Sequence, residues 1–347
     1  MVLGEGIRRD ISKVDPKERK KLRDAILELN SKDSKFHYPG DRDDPEGVGG
    51  VSYWFKQDEI HQATHVHGGP AFLPWHRELC NRFEKLLRGV NRDISLHYWD
   101  WNTDPIDLFT EGTEGFMGNA KGLAGIPWKN GGFYDENAAN YRADDEDDPE
   151  HSNPFDPPKH ITREKQEGTL KSVVDKWREE DPRHNPFPFY SDKEIIESET
   201  FPEMRLKLES NHNYAHSYIG GTIGHSHTAF RDPFVFLLHS NVDRLFATWQ
   251  RQPNHEWRLD PKHVYGTDGS SESKGMGKNV IVGILTLLSP WAGEGPNAEP
   301  GLKLTRPWAE PDNWHKICFD ENTKNSKHPT VVYHPDYDTT EDLLKKL

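Results

Sequence analysis

Nineteen histidines stand against two cysteines, Cys80 and Cys318. With so little thiolate, a metal site in this chain must be built from imidazole and carboxylate, a donor set that suits copper, zinc, iron or nickel. Six of the histidines are placed for that work. His212 and His216 are four apart in HNYAHSYIGG, so a helix puts both on one face. His239 sits inside the apolar run DPFVFLLHSNVDRLF. An imidazole is costly to bury there unless both nitrogens have partners. His67 and His76 flank the Gly68-Gly69-Pro70 corner of HVHGGPAFLPWHRELCNRFE, and His61 lies just upstream. Taken singly, each has a bland alternative: a hydrogen-bonded core histidine, or a solvated pair on a helix surface. Together, two helix pairs with three histidines each can hold two metals facing one another inside a bundle.

Four helices must position these groups. The pattern predicts them at about Ser52–Ala63, Trp75–Arg88, Pro202–Tyr218 and Asp232–Gln250. The last is apolar nearly all round, which places it in a core. Ahead of them, Asp15-Pro16-Lys17-Glu18 reads as a cap, a proline at the first helical position and a first-turn acid. The helix it opens, to about Asn30, carries Leu22, Ala25, Ile26 and Leu29 on one face for packing. Residues 102–199 have no period and hold the acid- and proline-rich runs ADDEDDPE and HSNPFDPPKH. They read as loops with short helices laid over a core made elsewhere. After residue 250 come proline- and tryptophan-rich loops and one β-prone run, Val280–Leu288. The expected architecture is a mainly α, antiparallel four-helix bundle with long irregular loops and a few short strands. It forms one domain over 1–347, with the two histidine segments at about 53–101 and 201–250.

Composition narrows the partners. A net charge of −14 argues against nucleic acid or an anionic membrane, since both need a basic face. The mean hydropathy of −0.92 fits a compact core under polar loops. The start, MVLGEGIRRDISKVD, has no apolar stretch of the signal-peptide kind, and Val280–Leu288 is too short to span a bilayer. The cytoplasm is the expected compartment.

The motifs resemble a known family. HGGPAFLPWHRELCNRFE is similar to the first copper motif of type-3 copper proteins: a histidine, a short turn, Phe-Leu-Pro-Trp-His-Arg, then Phe-Glu. HNYAHSYIGG resembles the start of the second copper site, and DPFVFLLHSNVDRLFATWQ its end. Within that family the chain looks most like a tyrosinase or polyphenol oxidase.

The resemblance implies two copper ions, with O2 as co-substrate and small phenols as substrates. It assigns His61, His67 and His76 to the first copper, and His212, His216 and His239 to the second. The gap from His61 to His67 is short for the family, so His65 competes with His61, and His37 is a more distant candidate. No cysteine lies between His61 and His67, so the thioether of some relatives is not expected. Leu238 stands where many relatives carry a second histidine. Asp243-Arg244 is expected to support helix packing through an ion pair. The resemblance also implies that Asn213 and an upstream glutamate hold a water that takes the phenol's proton. Glu209 is the choice, with Glu203 as its rival. A phenol has a pKa of about 10, so a positioned base helps it bind a metal as phenolate. The loop Gly220–Phe230 would shape the mouth, making Ser217, Ser226 and His227 candidates for touching substrate.

The activity so implied is ortho-hydroxylation of monophenols and oxidation of o-diphenols to o-quinones. A catechol oxidase or o-aminophenol oxidase with little hydroxylation is the near alternative, and a haemocyanin-like oxygen carrier a remote one. A zinc hydrolase would want a glutamate inside the His212–His216 pair, which is absent.

Overall fold

A computed structural model describes residues 7–31, 35–36, 52–64, 66–128, 160–259, 264–265 and 336–338. The β-prone run Val280–Leu288, His37, His65 and the acidic ADDEDDPE segment lie outside the described residues.

The chain opens with a short strand, β1 (Ile7–Arg8), and then the predicted packing helix α1 (Pro16–Asn30). The Asp15 carboxylate accepts from the Lys17 amide at 2.7 Å, and Pro16 occupies the first turn, where its missing N–H costs nothing. The four site helices follow as α2 (Tyr53–Thr64), α3 (Phe72–Val90), and, further on, α6 (Phe201–Ile219) and α7 (Phe234–Gln250). α3 begins at Phe72, three residues before the predicted Trp75. Pro74 falls among the first helical positions, where amide hydrogens have no intrahelical acceptor, so it does not delay the helix.

Pairings across the bundle give its sense. Phe83 stacks on Phe236 with ring centroids 3.6 Å apart, while the earlier His76 meets the later His239. Phe201 packs on Trp249, while His212 meets His239. In both cases one helix ascends as the other descends, so α3 and α6 each run antiparallel to α7.

Every residue of α7 is buried. Its polar side chains are therefore obliged to find partners. Asp243 pairs with Arg77 of α3 and with Arg8 of β1. Arg244 pairs instead with Asp192 at 2.7 Å. The expected role of Asp243-Arg244 in helix packing thus takes the form of two outward pairs to different elements. Adjacent helix residues point about 100° apart and cannot face each other.

The stretch 102–199 does more than cover the core. It folds into a small antiparallel pair, β2 (Lys121–Leu123) with β3 (Thr162–Glu164), and two helices, α4 (Leu170–Glu180) and α5 (Asp192–Ile196). Leu108, Phe109, Met117, Trp128, Val174 and Ile195 from it join the same buried cluster as the four site helices. The expectation of a core made elsewhere is corrected. Leu108, Phe109, Met117 and Trp128 follow no helical or strand period because loops and a short 3-10 turn present them, whereas Val174 and Ile195 are presented by α4 and α5. A last strand, β4 (Asp336–Tyr337), pairs in parallel with β1. No helix among the described residues is long and apolar enough to cross a membrane.

Candidate metal centre

All six predicted ligands converge. His61 comes from α2, His67 from the coil after it and His76 from the first turns of α3. Their ring centroids lie 5.1–5.6 Å apart. His212 and His216 come from α6 and His239 from α7, with centroids 4.4–5.2 Å apart. The two trios touch: His76 stacks on His239 at 4.8 Å, and His67 lies 5.7 Å from His212. Nitrogens of His61, His67 and His76 all fall within 4.8 Å of one another, as do those of His76, His212 and His239.

The hydrogen bonds decide which nitrogen is offered. His76 Nδ1 donates to the Phe72 carbonyl at 2.8 Å, and His239 Nδ1 to the Val235 carbonyl at 2.8 Å. Each is the carbonyl one helical turn back, which keeps a second lone pair after its helix bond. His216 Nδ1 donates to the Ile223 carbonyl at 2.7 Å, and His212 Nδ1 to the Asn213 side-chain oxygen at 2.9 Å. In all four the hydrogen is on Nδ1, so Nε2 carries the free lone pair. This is the usual outer support of a metal-bound histidine.

Those lone pairs face one another. His212 Nε2 is 3.0 Å from both His216 Nε2 and His239 Nε2. His76 Nε2 is buried with no hydrogen-bond partner. Opposed lone pairs at that distance repel, and a cation between them turns repulsion into ligation. Burial first, and then the neighbouring imidazoles, holds His76, His212 and His239 well below the ordinary histidine pKa. Burial brings His216 down to about 4. The rings are neutral, the form that binds metal. This donor set fits two copper ions, one per trio.

Apolar rings close the site. Phe230 packs on His61 at 4.5 Å and His239 at 4.8 Å, and Phe72 on His76 at 4.7 Å and His212 at 5.0 Å. Cys80 is a buried free thiol.

Two tight turns aim the ligands that helices alone would not. Gly220 and Gly221 have φ of 64° and 57°, which side-chain-bearing residues rarely adopt. A Cβ on Gly221 would stand 2.3 Å from the Thr162 carbonyl oxygen. The reversal they allow returns Ile223 to His216. Gly68, with φ of 77°, turns the chain between His67 and α3.

Glu209 is buried. One carboxylate oxygen accepts from the Gly68 amide at 2.6 Å, the other from Arg205 Nη1 at 2.7 Å. Its rival Glu203 is exposed and holds Lys207 at 2.7 Å, a surface pair. Asn213, Ser217, Ser226 and His227 are all exposed, and His227 Nδ1 meets Gln62 Nε2 of α2 at 3.3 Å. Sequence reasoning missed Arg205, Phe72 and Phe230. Only Arg205 left a trace in the sequence, its four-residue spacing to Glu209.

Comparison with known proteins places both histidine trios within one family domain. Residues 46–252 match the family model described as the common central domain of tyrosinase. Hemocyanin 1 of Megathura crenulata is 29% identical over 255 residues, covering 70% of this chain and 6% of that protein. Grixazone synthase of Streptomyces griseus is 29% identical over 211 residues, covering 54% of this chain and 68% of that enzyme. The chain thus spans a small part of Hemocyanin 1, and 54% of a Rapana venosa hemocyanin unit. Among solved structures, a single-residue mutant of Thermothelomyces thermophila polyphenol oxidase gives a TM-score of 0.49 at 19% identity. That alignment covers 73% of this chain and 74% of that one. With the domain match spanning both histidine trios, this chain belongs to the tyrosinase family of type-3 copper proteins, whose members bind two coppers.

Proposed function

We propose that the chain is a phenol-oxidising enzyme. It hydroxylates monophenols at the ortho position and oxidises o-diphenols to o-quinones, with O2 as oxidant. His61, His67 and His76 hold one copper, and His212, His216 and His239 the other. When bound, the coppers supply the activation of O2 that ring oxygenation requires.

The observation that carries this reading is the buried Glu209 carboxylate, one turn before His212 and bonded to the amide next to His67. It bridges the two copper segments, and Asn213 follows four residues later, next to His212. An ionised carboxylate offers about four lone-pair sites, and in this reading Glu209 is the acceptor for a water or a phenol hydroxyl. The Arg205 guanidinium compensates its charge and keeps it an acceptor. Asn213 has its oxygen committed to His212, leaving its NH2 to donate to a bound water. A monophenol that surrenders its proton here reaches the metal as phenolate. Phe72 and Phe230 exclude water and offer the ring an apolar wall.

Exposed Asn213, Ser217, Ser226 and His227 fit an open approach to the site. A carrier needs the reverse, a centre sealed from phenols. The hemocyanin relatives keep a second reading in play, reversible oxygenation without phenol turnover. One experiment separates the readings. Copper-loaded protein is treated with hydrogen peroxide, its near-ultraviolet charge-transfer band is recorded, and tyramine or dopamine is then added. Discharge of the band by tyramine with quinone formation supports the proposal. Turnover of dopamine alone makes the protein a catechol oxidase, and a band that neither phenol discharges favours carriage.

A further inference from the structure

We propose that Arg205 and Glu209 form a strut from α6 that holds the His67 corner in place, making them positioning residues for the first copper. Five of the six ligands sit within helices, His61, His76, His212, His216 and His239. Helix backbone fixes the Cα of each and leaves only side-chain torsions. His67 is different. It lies in coil between α2 and the Gly68–Ala71 turn, and is only partly buried. Its neighbour Gly68 has φ of 77°, a conformation glycine adopts freely and leaves freely. A ligand on such a segment needs an outside anchor.

Glu209 provides one. Its carboxylate takes the Gly68 amide at 2.6 Å, a short charge-assisted bond to the peptide that joins His67 to Gly68. A carboxylate with rotamer freedom would be a soft anchor. Arg205, one turn earlier on α6, grips the other oxygen at 2.7 Å. Both side chains are nearly out of solvent, Arg205 at 7% exposed and Glu209 at 6%. The pair therefore works in a low-dielectric setting, where each bond is strong and each loss is felt. The strut also has a direction. It stands on α6, which carries His212 and His216 of the second trio, and acts on a ligand of the first. Binding of the first copper thus depends on α6 being folded, whereas α6 holds its own ligands without help from the His67 corner.

This rests on the dicopper assignment, but not on any hydroxylating activity, and the two are tested apart. Two parent chains isolate the sites: His239→Ala, which disables the second site, and His61→Ala, which disables the first. Each is loaded with one copper, placed in excess EDTA, and followed by Cu(II) electron paramagnetic resonance. Arg205→Met is then added to each. Loss of an outer support commonly weakens metal binding by about 10–100-fold. The His239→Ala/Arg205→Met chain is therefore expected to release copper at least ~10-fold faster than its parent, while the His61→Ala background changes by less than about twofold. Arg205→Lys keeps a cation and is expected to restore much of the retention. Glu209→Gln keeps an acceptor for the Gly68 amide, so it provides a gentler second variant with the same site preference. Circular dichroism confirms that each chain is folded. Equal acceleration at both sites, or none at either, overturns the strut. Failure of the wild type to hydroxylate tyramine would sink the proposed function and leave these release rates as they are.

Discussion

Replacing Asp243 by alanine removes a carboxylate that two buried guanidiniums share. Arg77 and Arg8 have side chains 0% and 1% exposed, and Asp243 is 2% exposed. Tyr337 adds a hydroxyl at 2.7 Å from the same carboxylate. Breaking a buried pair by deleting one partner costs roughly 3–5 kcal/mol, because the charge left behind has neither water nor counter-ion. Here neither arginine is wholly abandoned. Arg8 keeps Glu84 at 2.7 Å, and Arg77 keeps the Gln250 side-chain oxygen at 2.7 Å. The lower end, about 3 kcal/mol, is therefore expected. For a chain of this size that is a fall in Tm of about 4 °C. Asp243→Asn, which keeps an acceptor, should fall less. Asp243 touches neither trio, so copper per chain should stay at two in both variants. Differential scanning calorimetry of the copper-loaded proteins, with metal analysis alongside, makes the test. An alanine variant melting within about 2 °C of wild type would refute the reasoning, since it would mean that the network is solvated or redundant.

Four further outcomes are expected. His216→Ala removes one of three ligands of the second site and should lower tightly bound copper from two per chain towards one, read by metal analysis after dialysis. Gly221→Ala puts a Cβ 2.3 Å from the Thr162 oxygen at a positive φ, so it should destabilise by more than ~1 kcal/mol in urea titrations. It should also weaken copper at the second site, because Ile223 would no longer reach His216. Tyr337→Phe deletes hydroxyl bonds to Asp243 and Arg8, and about 1 kcal/mol should be lost in the same titrations. Burial, the leading cause, lowers the His97 pKa to about 4 from an ordinary 6.5. The unfolded chain therefore takes up this proton first, and the stability tied to neutral His97 is lost as pH falls from 6.5 towards 4. His97→Gln should flatten that part of the pH–stability curve, by up to about 3 kcal/mol. An unchanged acid limb would count against it.

The six histidines that converge were legible in the sequence partly through helical spacing and partly through the family resemblance, which singled out His61, His67 and His76. His212 and His216 share a face by helical geometry alone, and a histidine in the apolar run around His239 had to have a use. Capping at Asp15 was equally local and equally readable. Helix ends were less so: α3 starts at Phe72, since Pro74 is harmless in a first turn. Within residues 102–199, the apolar residues presented by loops left no periodic mark, while Leu170, Val173 and Val174 of α4 stand at helical spacing that the surrounding acid- and proline-rich sequence obscured.

Other features were decided only when distant segments met. Nothing local tells that Asp243 answers Arg8 and Arg77 while Arg244 answers Asp192, because each partner lies on another element. The choice of Nε2 at His216 hangs on an Ile223 carbonyl delivered by a glycine turn packed on β3. The different surroundings of Glu209 and Glu203 were likewise tertiary. Both stand on α6, but only Glu209 faces the Gly68 amide, and burial there makes its charge matter. Sequence determines which groups exist and which helix face carries them. Folding determines which lone pairs are consumed by hydrogen bonds and which are left for a metal.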